Sequence, residues 1–472
     1  MTEPAASPNI LVISDIHLGE DLRPTAASLS YLRQIATLER ELEAFLAHYT
    51  MTRLSGRPWR LVVNGDMVDF MSVMILPREG EAGRTDEERR FGLAHAERQT
   101  VEKLDRVMAR HSGVFRRLGE FVAAGNELVI VVGNHDAEFH YPAVQRRFVE
   151  QLRAIVPALA PESVRFCPWF YYEEELVYVE HGHQYDEYCS FDYLLHPVEH
   201  NGDLAMSIAH AGIRYFTNMV PSIDPHIGEK WGFVDFIRWA WGEGARGFAR
   251  VFYIYGVMVW KVIELWSRMT RPATDEERRE RHRAQVERLA AEYRIAVDKV
   301  HALDGLRSLP VHKRFAKILQ AFYVDRLAIG FLAFAGLFPA AILPAGWQKL
   351  AWAAGLLGLA ATAILLLGRN RMLPSPQALR RAPELIGRIV RAPFIVFGHS
   401  HEPEAVPLPS GAVYFNTGAW ANNDVKAAFT HLVISSAPSG DGEGEEGEGD
   451  DRPRAELRQW RDGGSVPYTS HR

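Results

Sequence analysis

Cysteine is almost absent from this 472-residue chain; only Cys167 and Cys189 occur. Two thiols build no disulfide framework, and a reducing compartment fits such usage. A basic excess is also missing. The formal net charge is -6, and most of the imbalance lies in one late acidic run, residues 441–451 (DGEGEEGEGDD). The remainder is near neutral, so no basic groove for nucleic acid is expected. The first residues, MTEPAASPN, lack the basic-then-apolar order of a secretory signal. No internal repeat is visible, which sets repeat architectures aside.

Apolar residues, by contrast, are plentiful at 47%, ample for a large core. The length suggests two domains, or one domain with a large insertion. Residues 9–189 alternate β-branched apolar runs with helical stretches at 28–49 and 97–124, the texture of an α/β domain. Its strands read as continuous apolar runs, which implies a sheet covered on both faces. Residues 77–86 are polar and Gly-rich and read as an exposed loop.

Residues 190–392 differ in texture. Residues 191–226 contain several histidines and aromatics and read as helical, and 231–266 are rich in Trp, Tyr and Phe. Thr274 and Glu277 have the spacing of a capping box, with a helix predicted to run to Leu303. Two uncharged apolar stretches follow, at 327–345 and 350–367. Each approaches the roughly 20 residues that span a bilayer core. Arg326 precedes the first, and Arg369 and Arg371 follow the second. This asymmetry predicts a membrane hairpin over 327–367 with both ends, and the main domain, on the cytoplasmic side of the cytoplasmic membrane. A helical hairpin buried within a soluble cap is the alternative. Strand texture returns over 393–435, so the α/β domain resumes there. Residues 436–472 read as an acidic, disordered tail.

Five short polar motifs each close a predicted buried strand. They are Asp15-Ile16-His17, Gly65-Asp66-Met67-Val68-Asp69, Gly133-Asn134-His135-Asp136, His181-Gly182-His183 and Gly398-His399-Ser400-His401. Together they offer the carboxylates, imidazoles and side-chain amide that a two-metal hydrolytic centre requires. Any one of them alone is unremarkable; an isolated Asp-x-His after a strand is more often incidental than a ligand. Five in series point to one site at the strand ends.

In these motifs, in their order, the chain resembles the calcineurin-like metallophosphoesterases over roughly residues 9–185 and 393–435. The resemblance implies an α/β fold of four layers, two packed mixed β-sheets flanked by helices, here with a large helical insertion. It implies two divalent metal ions, Mn²⁺ first, with Fe, Zn, Co or Mg as options. Asp15, His17 and His401 would hold one ion and Asn134, His181 and His399 the other, with Asp66 shared. His135 would assist the leaving oxygen and Asp69 would orient it. His183, two residues past His181, is placed either to approach a substrate phosphate or on an open loop as an exposed histidine. Catalysis would use a hydroxide activated by the dinuclear centre. A phosphodiester or pyrophosphate bond is the expected target.

Departures narrow the resemblance. Phe70 follows Asp69, and Asp136 ends the third motif, unlike the protein Ser/Thr phosphatases. The Asp15-x-His17-Leu18-Gly19 start and the His181–Asp186 sequence HGHQYD look more like the UDP-2,3-diacylglucosamine pyrophosphohydrolases. Those enzymes cut a lipid-linked pyrophosphate at a membrane. They usually carry Arg where His135 stands, and their insertion is much smaller. A membrane-tethered phosphodiesterase or nucleotide hydrolase acting on a soluble substrate is the alternative. A silent scaffold would have lost ligands, yet every position holds a competent residue.

Overall fold

The computed structural model describes residues 7–23, 29–78, 80–199, 202–220, 223, 232–269, 275–338, 346–369, 376–421, 424, 426–435 and 452–469. Among the described residues, twelve strands form two mixed sheets. They are β1 (Asn9–Ile13), β2 (Trp59–Asn64), β3 (Glu127–Val131), β4 (Val164–Cys167), β5 (Phe170–Glu173), β6 (Val177–Glu180), β7 (Phe394–Phe397), β8 (Glu404–Pro407), β9 (Val413–Asn416), β10 (Thr430–Ser435), β11 (Arg454–Arg461) and β12 (Gly464–Pro467). The first sheet has the order β12-β11-β10-β1-β2-β3-β4 and the second β5-β6-β7-β9-β8. β1 to β4 run parallel, as do β6, β7 and β9.

The apolar runs make these strands for a simple reason. Side chains alternate between faces, and here both faces are covered. Ile10 and Val12 enter the core between the sheets with Val62, Val129, Val131, Val177, Val179 and Val396. Leu11 and Ile13 point the other way, into the core shared with the helices. Those helices in the first part of the chain are α1 (Leu29–Met51), α3 (Glu97–Arg110), α4 (Ser112–Ala123) and α5 (Pro142–Ile155), whereas Phe91 of the short α2 (Asp86–Phe91) packs in a separate cluster with the insertion.

The insertion between β6 and β7 carries α6 (Ile208–Tyr215), α7 (Phe233–Gly242), α8 (Gly244–Met269), α9 (Asp275–Tyr293), α10 (Val297–Asp304), α11 (Phe315–Ala321), α12 (Val324–Ala335), α13 (Trp347–Arg369) and α14 (Pro376–Ile389). α13 contains a 21-residue stretch, Trp347–Leu367, of mean hydropathy 2.2 with none of its apolar window buried. Among the described residues it is the one helix long and apolar enough to cross a membrane; α11 and α12 qualify only jointly, across a 75° bend. Of the predicted hairpin, one helix thus has the length and hydropathy of a span, and residues 339–345 of its first stretch lie outside the described residues.

Several elements depart from the sequence expectation. The predicted helix over 97–124 is two helices broken at His111, whose ring turns inward to Glu39 (2.7 Å) and Asp21 (3.2 Å). The predicted helix to Leu303 ends at Tyr293, because Arg294 adopts φ 55° and Tyr293 stacks on Phe170 at 5.3 Å. Thr274 of the expected capping box lies outside the described residues. Within 191–226 only α6 and one short turn at Thr217–Met219 are helical among the described residues.

The tail is the clearest correction. Residues 454–467 are not disordered: β11 and β12 extend the first sheet beyond β10. Trp460 is buried, edge-on to Phe45, and Leu457 joins the core between the sheets. The acidic run at 441–451 lies outside the described residues.

Candidate metal centre

The five motifs stand at the carboxyl ends of β1, β2, β3, β6 and β7. Parallel strands deliver these ends to one edge, where open α/β sheets characteristically bind ligands. The two sheets are tied together at that edge. Asn64 Nδ2 donates to Glu180 O (2.9 Å) and Trp420 N–H to Ser14 O (3.3 Å), and Ser14 Oγ meets Thr417 Oγ1 at 2.7 Å.

The turns are strained. Asp15, His17, Asp66, His399 and His401 all have positive φ, between 54° and 64°. Non-glycine residues rarely occupy this region, and such outliers gather at functional sites. Close approach explains one glycine in particular. A Cβ on Gly133 would lie 2.2 Å from Asp66 Oδ1, so only glycine lets the third motif pass the second.

The side chains converge in two groups. Asp15, His17 and His401 form one and Asp66, His181 and His399 the other, with one ligand atom of each residue within 4.8 Å of the others in its group. His401 Nε2 lies 3.2 Å from Asp15 Oδ1. His181 Nε2 lies 3.1 Å from both Asp66 Oδ2 and Asn134 Oδ1, while its Nδ1 faces Asn64 O at 2.9 Å. Asp66 Oδ1 accepts the His135 N–H at 2.8 Å. All seven expected ligands therefore meet. His135 and Asp69 lie beside them, with Nδ1 and Oδ1 3.0 Å apart. Ser72 holds Asp69 from behind with its N–H (2.9 Å) and hydroxyl (2.7 Å). The expectation for His183 needs refinement. It is buried rather than on an open loop, edge-on to Phe191 of the insertion, with centroids 5.9 Å apart.

Charge follows from this packing. Burial opposes ionisation of Asp66, but His181 and His135 outweigh it and hold the carboxyl well below its usual range. Asp69 is lowered likewise against burial, chiefly by His135. Burial also disfavours a charged His135, yet Asp69 and Asp66 raise its pKa to about 10. Two fully buried carboxylates, four imidazoles and one amide oxygen form a donor set suited to divalent ions of intermediate softness. The residues present therefore fit a metal centre.

Some neighbours escaped sequence reasoning. Asp186 Oδ2 lies 3.3 Å from His399 Nε2. Asp136 does what its place in the third motif suggests and stabilises the turns, accepting from Gly133 N–H (2.6 Å) and Met67 N–H (2.8 Å). A buried chain outside the centre joins the insertion to the core: Glu138 Oε1 meets His95 Nδ1 at 2.7 Å, and His95 Nε2 meets His210 Nε2 at 2.9 Å. Asp186 is five residues past His181, so proximity in sequence was a usable signal. His210 carries none, because only the fold brings it to His95.

The fold and this edge define a metal-binding hydrolase built on two packed mixed sheets. The chain belongs to the calcineurin-like phosphoesterases: the family model matches residues 8–243, half of its length. It is thus a metal-dependent hydrolase of phosphoric esters. The match ends before His399 and His401, which the fold nevertheless brings to the site. No curated protein and no solved structure matches the chain. The narrower likeness to UDP-2,3-diacylglucosamine pyrophosphohydrolases rests on the motifs alone.

Proposed function

We propose that this protein hydrolyses a phosphodiester or pyrophosphate bond at a membrane surface, with two divalent ions, Mn²⁺ foremost. Asp15, His17 and His401 would hold one ion and Asn134, His181 and His399 the other, with Asp66 shared. Bound there, the ions supply Lewis acidity toward the phosphoryl oxygens and lower the pKa of water. The rest is the work of the chain. Asp66 fixes the third motif through the His135 N–H. Asp69, braced by Ser72, keeps the His135 ring protonated and aimed. In the reaction, water oxygen bonds to phosphorus, the ester P–O bond breaks, and His135 gives a proton to the departing oxygen. The observation that carries this reading is the meeting of all seven expected ligands at one buried edge, next to the Asp69–His135 pair.

The membrane part rests on different support. Trp347–Leu367 is long and apolar, and none of its apolar window is buried. Its base is pinned by the buried Arg326, which donates to Leu367 O at 2.8 Å. Trp241, Tyr253 and Trp260 are exposed on α7 and α8, as expected of side chains at a bilayer interface. The catalytic domain would then face the cytoplasm, and a lipid-linked phosphate becomes the natural substrate.

The test is Mn²⁺-dependent hydrolysis by the purified protein, with Asp66→Ala as blank. Bis(p-nitrophenyl) phosphate and a lipid-linked nucleotide pyrophosphate are supplied to the same sample. Turnover of both, absent from the blank, is expected. Cleavage of the soluble diester alone would favour a tethered enzyme with a soluble substrate, and cleavage of neither would sink the reading.

A further inference from the structure

Asp186 stands against the centre without being one of the seven expected ligands. Its Oδ2 lies 3.3 Å from Nε2 of His399, and the residue is only 5% exposed. A buried carboxylate is costly unless both oxygens find partners, and here the two partners differ. Oδ1 accepts the Tyr188 N–H at 2.9 Å, a turn of the kind aspartate often closes with its own backbone. Turn-making therefore accounts for one oxygen. The other is aimed at an imidazole 213 positions away in the chain.

Packing independent of this contact fixes the two residues relative to each other. Tyr185, just before Asp186, stacks on Phe397, with ring centroids 5.5 Å apart and planes 11° from parallel. Phe397 ends β7, two residues before His399. From the other side the insertion clamps the same segment. Ser308 donates its N–H to Gln184 O (2.8 Å) and its hydroxyl to Tyr185 O (2.7 Å), and Val311 N–H reaches Glu187 O (2.7 Å). An imidazole has two nitrogens. A carboxylate at Nε2 selects the tautomer that carries its hydrogen there, which leaves the Nδ1 lone pair for an ion. Metal-holding histidines commonly give their second N–H to such a carboxylate, which fixes the ring and strengthens its donation. His399 shares its ligand group with Asp66 and His181. Asp186, Cys189 and His399 also offer ligand atoms within 4.8 Å of one another, so direct ligation by Asp186 is the rival reading.

We propose that Asp186 is a positioning residue of the metal centre: it holds the His399 ring through the Nε2–H and so sets the grip on the ion assigned to Asn134, His181 and His399. The inference rests on the two-ion reading above and adds to it a residue that touches neither ion.

Calorimetric titration of the chelator-stripped full chain with Mn²⁺ tests it without turnover. The unaltered chain should bind two ions. Asp186→Asn keeps the size of the side chain and an oxygen for the Tyr188 N–H, but it has no charge with which to hold His399. One ion should then bind about 10- to 100-fold more weakly, and the other within about threefold of its original affinity. Asp186→Glu, which restores a carboxylate, should recover part of the loss. Proton NMR of the Co²⁺-loaded protein reads the orientation itself. An exchangeable imidazole N–H signal, displaced by the paramagnetic ion, should be lost to solvent exchange in Asp186→Asn and regained in Asp186→Glu. Unchanged affinities would leave Asp186 a turn residue and overturn the proposal. Complete loss of one ion would make it a direct ligand, and equal weakening of both with a lowered melting temperature would make it merely structural; either result overturns it too. If the unaltered chain binds fewer than two ions, the two-ion reading fails first and this inference falls with it.

Discussion

The β1–β3 edge and helix α13 are built from similar apolar side chains and end in opposite situations. Ile10 to Ile13 are wholly enclosed, two facing the second sheet and two facing the helices. Leu350, Leu359 and Leu365 on α13 stand about 70% exposed or more. Burial removes roughly 25 cal/mol per Å² of apolar surface from water; the strands realise this gain within the chain and α13 does not. Apolarity thus identifies what must be covered, and only the fold says by what. In the core the cover is protein, which makes the edge rigid enough to hold strained turns. On α13 that surface stays open among the described residues, and under the reading proposed above a bilayer, whose thickness its length matches, would cover it.

Breaking the rigid half should have the largest effect. Asp66→Ala removes the carboxylate proposed to be shared by the ions and the acceptor of the His135 N–H. Metal content by elemental analysis should collapse and turnover vanish; a variant that retains both would refute the assigned role. His135→Ala comes next. It leaves the ligand groups intact, so metal content should hold while turnover falls about 10²–10⁴-fold. Trp460→Ala tests whether the terminal strands belong to the rigid half. Loss of a buried tryptophan should cost about 3–5 kcal/mol in urea unfolding, whereas an unchanged midpoint would return β11 to the status of an appendage.

The other half is broken by charge. Leu357→Glu with Leu365→Glu places two carboxylates on the exposed face of α13, at a few kcal/mol each for a residue within a bilayer. The protein should leave the membrane fraction while still cleaving a soluble diester. Retention after both substitutions would show that α13 does not mediate attachment.

The smallest effect concerns pH. His431 is fully buried, and burial lowers its pKa to about 3. The unfolded chain takes up a proton near pH 6.5 that the folded site refuses. This contribution to stability is therefore complete above pH 6.5 and declines as pH falls toward 3. Between pH 6.5 and 5 the loss should reach about 2 kcal/mol. Urea midpoints across that range should flatten in His431→Gln; equal slopes in the two proteins would contradict it.

The sequence disclosed the centre well because each motif is contiguous and follows a strand. Asp15, Asp66, Asn134, His181 and His399 needed only the knowledge that parallel strand ends share an edge. It disclosed less where tertiary contacts decide. Helical periodicity runs unbroken through His111 and Arg294, but inward contacts of His111 and Tyr293 stop the helices there. The strands at 454–467 were hidden behind an acidic run whose composition masked the short apolar pattern of Leu457 and Trp460. Arg23 meets the ring of Tyr31, eight positions on, and His95 meets His210 from another part of the chain. No local pattern marks such pairs.

One consequence of the edge geometry concerns mechanics rather than chemistry. Asp15, His17, Asp66 and Asn134 extend from the first sheet, and His181, His399 and His401 from the second. Ions gripped by both sets would act as rivets through the sandwich. Sliding one sheet past the other would have to shear them, so the grip on metal and the resistance of the two sheets to slippage are one property measured in two ways.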